Sequence, residues 1–341
     1  LPLLLRRSLL ASLLVPIISL SFSASAADFM VDASQYSDPD NNIYSTLEEL
    51  VSSVALVAGD TVILNNDDAS LTTGLTVPVN FRSADPAALC AVDLSGLGKN
   101  PLYDLGAGEY TLEMDSVIWS KGAAGVIRTA DDNVSLEITG EVQFLNNHVD
   151  NSNNSAYGGA IYMEGDHATL TLGNNVTFSG NYASSDSSSI STSSGGAIYM
   201  QGVNSFLTIR NGAIFTNNYS STYGGAIYLQ GITTDNSSRF LAFTHDVLFS
   251  GNMTGGTFTQ HNDGSFSVVN GVANAIHVDG TNHLQLAAAQ GKEVRFNDPI
   301  TSAAYFSSTE NVTLSLNQYT DDDGISHTTD GTVIFSGELY Q

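Results

Sequence analysis

From Thr61 onward, short runs of alternating apolar and polar residues are separated by clusters of Gly, Ser, Asn and Asp. This alternation marks half-buried β-strands joined by turns. Two of the runs recur. The first reads Gly158-Gly159-Ala160-Ile161-Tyr162-Met163-Glu164-Gly165 and returns as Gly195-Gly196-Ala197-Ile198-Tyr199-Met200-Gln201-Gly202. It appears again as Gly224-Gly225-Ala226-Ile227-Tyr228-Leu229-Gln230-Gly231, and in degraded form as Ala273-Asn274-Ala275-Ile276-His277-Val278-Asp279-Gly280. Strand alternation puts Ile161 and Met163 on one face, which stays aliphatic in every copy, and Tyr162 and Glu164 on the other.

The second run interleaves with the first. It reads Val142-Gln143-Phe144-Leu145-Asn146-Asn147, then Val176 to Asn181, Ala213 to Asn218 and Val247 to Asn252, with the Phe at Phe178, Phe215 and Phe249. Fading copies follow at Val294-Arg295-Phe296 and Val333-Ile334-Phe335. The step from the first glycine to the next Phe is 20, 20, 25 and 23 residues, whereas the step back to the next glycine motif is 14, 17, 9 and 24. One half of the repeat is nearly constant and the other varies, as in a coil of packed strands with one free loop. Between the motifs a third strand is expected, with its apolar stripe six and eight residues before each Phe: Ile138/Leu136, Leu172/Leu170, Ile209/Leu207 and Phe243/Leu241. Three short strands per repeat describe one turn of an all-β parallel β-helix, a solenoid whose windings bury a continuous apolar column. Asn147, Asn181, Asn218 and Asn252 fall at one corner. Ordinary turn preference and an amide ladder between rungs both account for them.

Before the repeats, Ser45-Thr46-Leu47-Glu48 reads as a capping box. Leu47, Leu50, Val51 and Val54 follow at helical spacing up to Gly59-Asp60. A short helix here would cover the open end of the coil. Further upstream, Arg6-Arg7, the apolar run Leu9 to Leu20 and Ala24-Ser25-Ala26 form a cleaved signal peptide over residues 1–27. The expected division is therefore 1–27 signal peptide, 28–60 N-terminal segment with its capping helix, and 61–341 parallel β-helix.

Charge narrows the function. Ten Lys and Arg face 35 Asp and Glu, a formal net charge of −25 that loss of Arg6 and Arg7 deepens. Such a surface repels phosphate backbones and excludes nucleic-acid binding as a function. No stretch after the leader is long and apolar enough to span a bilayer as a helix. The single cysteine, Cys90, rules out an intrachain disulfide.

The interleaved Gly-Gly-Ala-Ile and Phe-x-x-Asn motifs resemble the repeat of the chlamydial polymorphic outer membrane proteins, and more broadly the passenger region of Gram-negative autotransporters. The match is clear over roughly residues 134–300. The resemblance implies a right-handed β-helix at the cell surface, adhesion to host cells or matrix, and a C-terminal translocator barrel. The sequence given stops instead at the strand around Val333-Ile334-Phe335, which leaves three alternatives open: a fragment, a gene product truncated before that barrel, or a passenger secreted without an anchor.

The main rival is a β-helical carbohydrate-active enzyme, which needs paired carboxylates on neighbouring rungs ~5–9.5 Å apart. The aligned outward positions read Glu164, Gln201, Gln230 and Asp279. At ~4.8 Å per rung the two acids lie ~14 Å apart, so no catalytic residue is assigned. No cofactor is implied. Asp321-Asp322-Asp323-Gly324 reads as an exposed acidic turn more readily than as a calcium loop. Tyr162, Tyr199, Tyr228 and His277 should stack outward, either as a ledge for a glycan or protein, or as mutual support of the coil. The loops 182–194 and 253–272 have the most freedom to carry specificity, and their Ser, Thr, Gly and Asn content also suits plain linkers. A stalk without binding of its own is the third reading.

Overall fold

The computed structural model describes residues 26–65, 69–150, 155–185, 192–303 and 312–336. The segment expected to be a signal peptide therefore lies outside the described residues, apart from its last two. Within them the chain winds as a parallel β-helix. Ile127, Ile161, Ile198, Ile227, Ile276 and Ile300 pair with one another in turn, one winding after the next. The Leu strands stack likewise, with Leu136, Leu170 and Leu207 in file. Through the long strands Ile227–Ala242 and Ile276–Ala288 these two columns join into one 16-stranded sheet. The Phe strands form a second, nine-stranded sheet, from Ala69–Ser70 to Thr332–Phe335.

The core lies between these sheets. Phe144, Phe178, Phe215, Phe249 and Phe296 form a single file with centroids 4.7, 4.9, 4.7 and 4.7 Å apart and nearly parallel rings, and Phe335 follows at 5.5 Å. Upstream the column passes to Trp119, paired with Phe144 and edge-on to Phe81 at 4.8 Å. Substituting a buried Phe by Ala costs about 3–5 kcal/mol, so each file member is a large element of local stability.

The paired glycines have separate causes. The first sits at positive φ, +60° at Gly158, +68° at Gly195 and +63° at Gly224. The second has no room: a Cβ at Gly196 would lie 2.0 Å from Gly225 O and 2.5 Å from Tyr219 O. Two chain segments thus approach within backbone contact at this corner. At the opposite corner Asn146, Gly180, Asn217 and Gly251 alternate, all left-handed. A Cβ at Gly180 would strike Asn146 Oδ1 at 2.2 Å, and one at Gly251 would strike Asn217 Oδ1 at 2.5 Å. Each glycine leaves space for the amide of the rung before it.

Some expectations change. The helix α1 spans Leu47–Ser53, with Thr46 as N-cap accepting from Glu49 N. Glu49 in turn accepts from Ser45 N and Ser45 Oγ, so the box is shifted one residue from the expected frame. Val54 is already extended, and the chain leaves the helix well before Gly59. Within the expected N-terminal segment 28–60, the strand Asp28–Val31 pairs in parallel with Thr61–Leu64 and so joins the same sheet. In the fourth repeat the inward residues are Phe240 and Ala242, not Leu241 and Phe243. Neighbours dictate this register, with Ile209 paired to Phe240 and Phe240 to Leu286. The turn that follows is longer, and Asn211 Oδ1 holds it through the N–H groups of Phe243 (2.5 Å) and Thr244 (2.8 Å).

Candidate binding faces

The predicted outward aromatics do form a column. Tyr162, Tyr199, Tyr228 and His277 stack at 5.5, 5.0 and 5.7 Å with rings within 9° of parallel. Two further tyrosines roof it: Tyr157 lies 4.5 Å from Tyr199, and Tyr223 lies 4.5 Å from His277. Tyr199, Tyr228 and His277 are consequently buried, while Tyr223 stays 39% exposed. The hydroxyls are committed internally. Tyr162 donates to Glu164, Tyr199 to Gln201 and Tyr228 to Asp279. Burial raises the pKa of all three phenols, which keeps them protonated as donors. His277 Nδ1 meets Thr301 Oγ1 at 2.8 Å, and burial pushes its pKa down to about 4. The column is thus mostly sealed, and its open surface is Tyr223 with the half-buried Tyr157 and Tyr162. The acids Glu164 and Asp279 stand at the ends of the file, with the Gln201 and Gln230 rungs between them.

At the Phe-sheet corner the asparagines make a buried ladder. Asn147, Asn181, Asn218 and Asn252 are fully buried. Asn147 Oδ1 accepts Gly122 N at 3.0 Å, and each later Oδ1 accepts the backbone N–H and the side-chain NH2 of the preceding rung: Asn181 from Asn147 at 3.0 and 3.2 Å, Asn218 from Asn181 at 3.0 and 3.0 Å, Asn252 from Asn218 at 3.1 and 2.9 Å. The ladder ends on Asp298, whose carboxylate accepts Asn252 N, Asn252 Nδ2 and Gly251 N at 2.8, 2.8 and 3.0 Å. Sequence reading missed this terminus because Asp298 stands two residues after Phe296 instead of three.

Directly after the ladder comes a fourth column that the sequence reading also missed. His148, Tyr182, Tyr219 and Met253 pair in register. An aromatic directly after three of the four ladder asparagines, with Met253 after the fourth, was the available signal. This column is covered by part of the 253–272 segment, one of the two loops expected to have the most freedom to carry specificity. Residues Thr257–Gln260 and Phe266–Val269 form an antiparallel hairpin, which lays Phe258 against Tyr182 and Tyr219 (both 4.9 Å) and Phe266 against the same pair (5.4 and 5.7 Å). Of the other variable loop, residues 186–191 lie outside the described residues.

The hairpin creates two clefts. One, of about 390 Å3, lies beneath it against Asn146, Gly180, Asn217 and Gly251. The other, of about 510 Å3, lies between the hairpin tip and the earlier rungs and is lined by Asp93, Lys121, His148, Gln260, His261 and Asn262, among others. The acidic turn at Asp321 has its own partners: Asp321 accepts from Ile325 N (2.8 Å), Asp323 N (3.0 Å) and His327 Nε2 (2.7 Å), and Asp322 pairs with Arg239 at 2.6 Å. Among the described residues, no group of three or more His, Cys, Asp or Glu is arranged to hold a metal ion. No described helix is long and apolar enough to cross a membrane.

A stacked coil of this kind, with an internal amide ladder and insertions laid along its outside, defines the class: a parallel β-helix built from sequence repeats. Within it, residues 175–201 and 212–230 match the Chlamydia polymorphic membrane protein repeat. Each stretch runs from the corner before a Phe strand to the fourth residue of the next Ile strand, Gln201 or Gln230, and the chain resembles that family through this unit. Neither curated proteins nor solved structures give a match.

Proposed function

We propose that the chain is a surface-displayed, autotransporter-type passenger that binds a host-cell or matrix component without catalysing a reaction. The observation that carries this reading is the repeat itself, Phe-x-x-Asn followed by Gly-Gly-Ala-Ile, matched to a family of outer-surface proteins. The folded hairpin supports a binding role over that of a bare stalk, since an insertion held by aromatic packing presents one defined surface. The separation of Glu164 from Asp279 by two amide-bearing rungs supports a non-enzymatic role.

The test is attachment. Beads coated with the protein are applied to cultured epithelial cells and to immobilised matrix. A second preparation lacks Thr257–Asn270, so that Gly256 joins Gly271. The two glycines already lie side by side, a Cβ on Gly256 falling 2.6 Å from Gly271 N. Attachment by the intact protein and its loss in the shortened one are expected. Equal attachment by both moves the binding surface off the hairpin, and attachment by neither leaves a stalk.

A further inference from the structure

The larger cleft has a character that the passenger role does not by itself supply. Its floor comes from three consecutive windings, through Asp93, Lys121 and His148, and its roof from the hairpin tip, through Gln260, His261 and Asn262. The tip is braced. Asp263 accepts from Ser265 N at 3.0 Å and Ser265 Oγ at 2.6 Å, and His261 N donates to Ser265 O at 2.8 Å. A Cβ on Gly264 would touch Lys121 Cγ at 3.5 Å, so the tip rests on the coil. The volume, about 510 Å3, falls within the ~300–1,000 Å3 usual for small-ligand sites.

The lining chemistry selects a ligand class. The charged groups are committed within the protein: Lys121 Nζ meets Asp93 at 2.7 Å, and Asp263 is taken by Ser265. The groups that remain to meet a ligand are the neutral amides of Gln260 and Asn262, the His261 ring, and His148, which burial keeps in its uncharged form at neutral pH. Amides and the neutral His148 imidazole each offer both a donor and an acceptor, and hydroxyl groups do the same. Ala123 is the one aliphatic side chain in the lining, which leaves little for a hydrophobic ligand. The overall charge of −25 disfavours polyanions.

We propose that this cleft binds a short, uncharged oligosaccharide. The proposal rests on the binding-scaffold reading and names its ligand class. Hydroxyls would be met by Gln260 and Asn262 from above and by His148 and His261 at the sides, with the Lys121–Asp93 pair at the floor.

The test probes the intact protein with an array of neutral, sialylated and sulfated oligosaccharides, and measures the strongest hit by calorimetry. A double variant, Gln260→Ala with Asn262→Ala, is run alongside. Both residues are exposed at the tip, so unchanged far-UV circular dichroism is expected. A neutral oligosaccharide should bind, and the double variant should weaken it at least tenfold. Absence of any saccharide binding, a preference for sulfated or sialylated members, or a variant within twofold of wild type each overturns the proposal. The bead assay on the same preparations separates the two readings. Attachment without saccharide binding sinks the oligosaccharide site alone, and loss of attachment altogether sinks the scaffold reading beneath it.

Discussion

Replacing Asn218 by Ala in the middle of the ladder tests whether side-chain amides hold the windings together. Four contacts vanish. Asn218 Oδ1 no longer accepts Asn181 N (3.0 Å) or Asn181 Nδ2 (3.0 Å), and Asn218 Nδ2 no longer reaches Asn252 Oδ1 (2.9 Å) or Phe178 O (3.1 Å). The losses are unequal. Asn181 Nδ2 keeps Phe144 O at 2.8 Å, and Asn252 Oδ1 keeps Asn218 N at 3.1 Å. The Asn181 backbone N–H is left bare in a site with no access to water. An orphaned buried donor costs about 1–3 kcal/mol and each of the other bonds about 0.5–1.5, so the total is about 3–7 kcal/mol. A surface control, Asn262→Ala, should stay within about 0.5 kcal/mol. Repeat arrays need not unfold in one step, so urea unfolding should be paired with hydrogen exchange, in which protection falls first at Asn181 and Tyr219.

The isosteric Asn218→Asp sharpens the test. Its second oxygen would face two acceptors, Asn252 Oδ1 and Phe178 O, which favours the protonated acid and raises the folded pKa above the unfolded ~3.9. A raised pKa gives stability that is present below about pH 4 and lost as pH rises. Relative to wild type, Asn218→Asp should therefore be worse at pH 7 than at pH 4, while Asn218→Ala should show no such trend. An Asn218→Ala cost below 1 kcal/mol, with exchange at Asn181 unchanged, would refute the ladder as a stabilising element.

Three further outcomes follow from the same geometry. Phe215→Ala opens a gap between rings at 4.9 and 4.7 Å and should cost about 3–5 kcal/mol in urea unfolding. Gly196→Ala places a Cβ 2.0 Å from a carbonyl oxygen and should abolish soluble expression, whereas Gly291→Ala, at φ +73° with nothing within 4 Å, should cost only about 1–2 kcal/mol and remain soluble. His277 is neutral when folded, with its pKa pushed down to about 4. Its contribution is full above the unfolded pKa of ~6.5 and is lost as pH falls toward 4, an effect of about 3 kcal/mol. Comparing urea midpoints of wild type and His277→Tyr across pH 7 to 4 should show this part of the acid sensitivity in the wild type alone.

Legibility in the sequence followed repetition. The Ile and Phe columns could be read because each side chain has copies whose spacing survives turn-length changes elsewhere. Where the repeat decays, so did the reading. Trp119 occupies a Phe position and Gly122-Ala123-Ala124-Gly125-Val126-Ile127 a glycine motif, yet neither matches by letter, although Trp119 pairs with Phe144 and Ile127 with Ile161. Leu241 and Phe243 were misplaced because counting back from Phe249 assumes a constant turn, and that turn has lengthened. The hairpin was hidden differently. Thr257-Phe258-Thr259-Gln260 and Ser265-Phe266-Ser267-Val268 alternate as strands should around His261-Asn262-Asp263-Gly264, but Ser and Thr fill the polar positions as they would in a linker. Only Tyr182 and Tyr219, distant in sequence, give Phe258 and Phe266 a surface to cover.

This division has a consequence for where specificity can reside. A residue in a stacked column touches its equivalents in the windings before and after, as Phe215 touches Phe178 and Phe249, so a change at one rung strains two others. An insertion whose two ends return to one corner escapes that constraint. The hairpin neck does so: Gly255, Gly256 and Asn270 adopt left-handed conformations, and Gly256 lies against Gly271. The chain can thus leave and rejoin the coil without altering the Met253–Asn274 corner. The tip of such an insertion can change residue by residue while the ladder and the Phe file stay intact, which is the physical reason to seek recognition at Gln260–Asn262 rather than on the sealed Tyr162–His277 column.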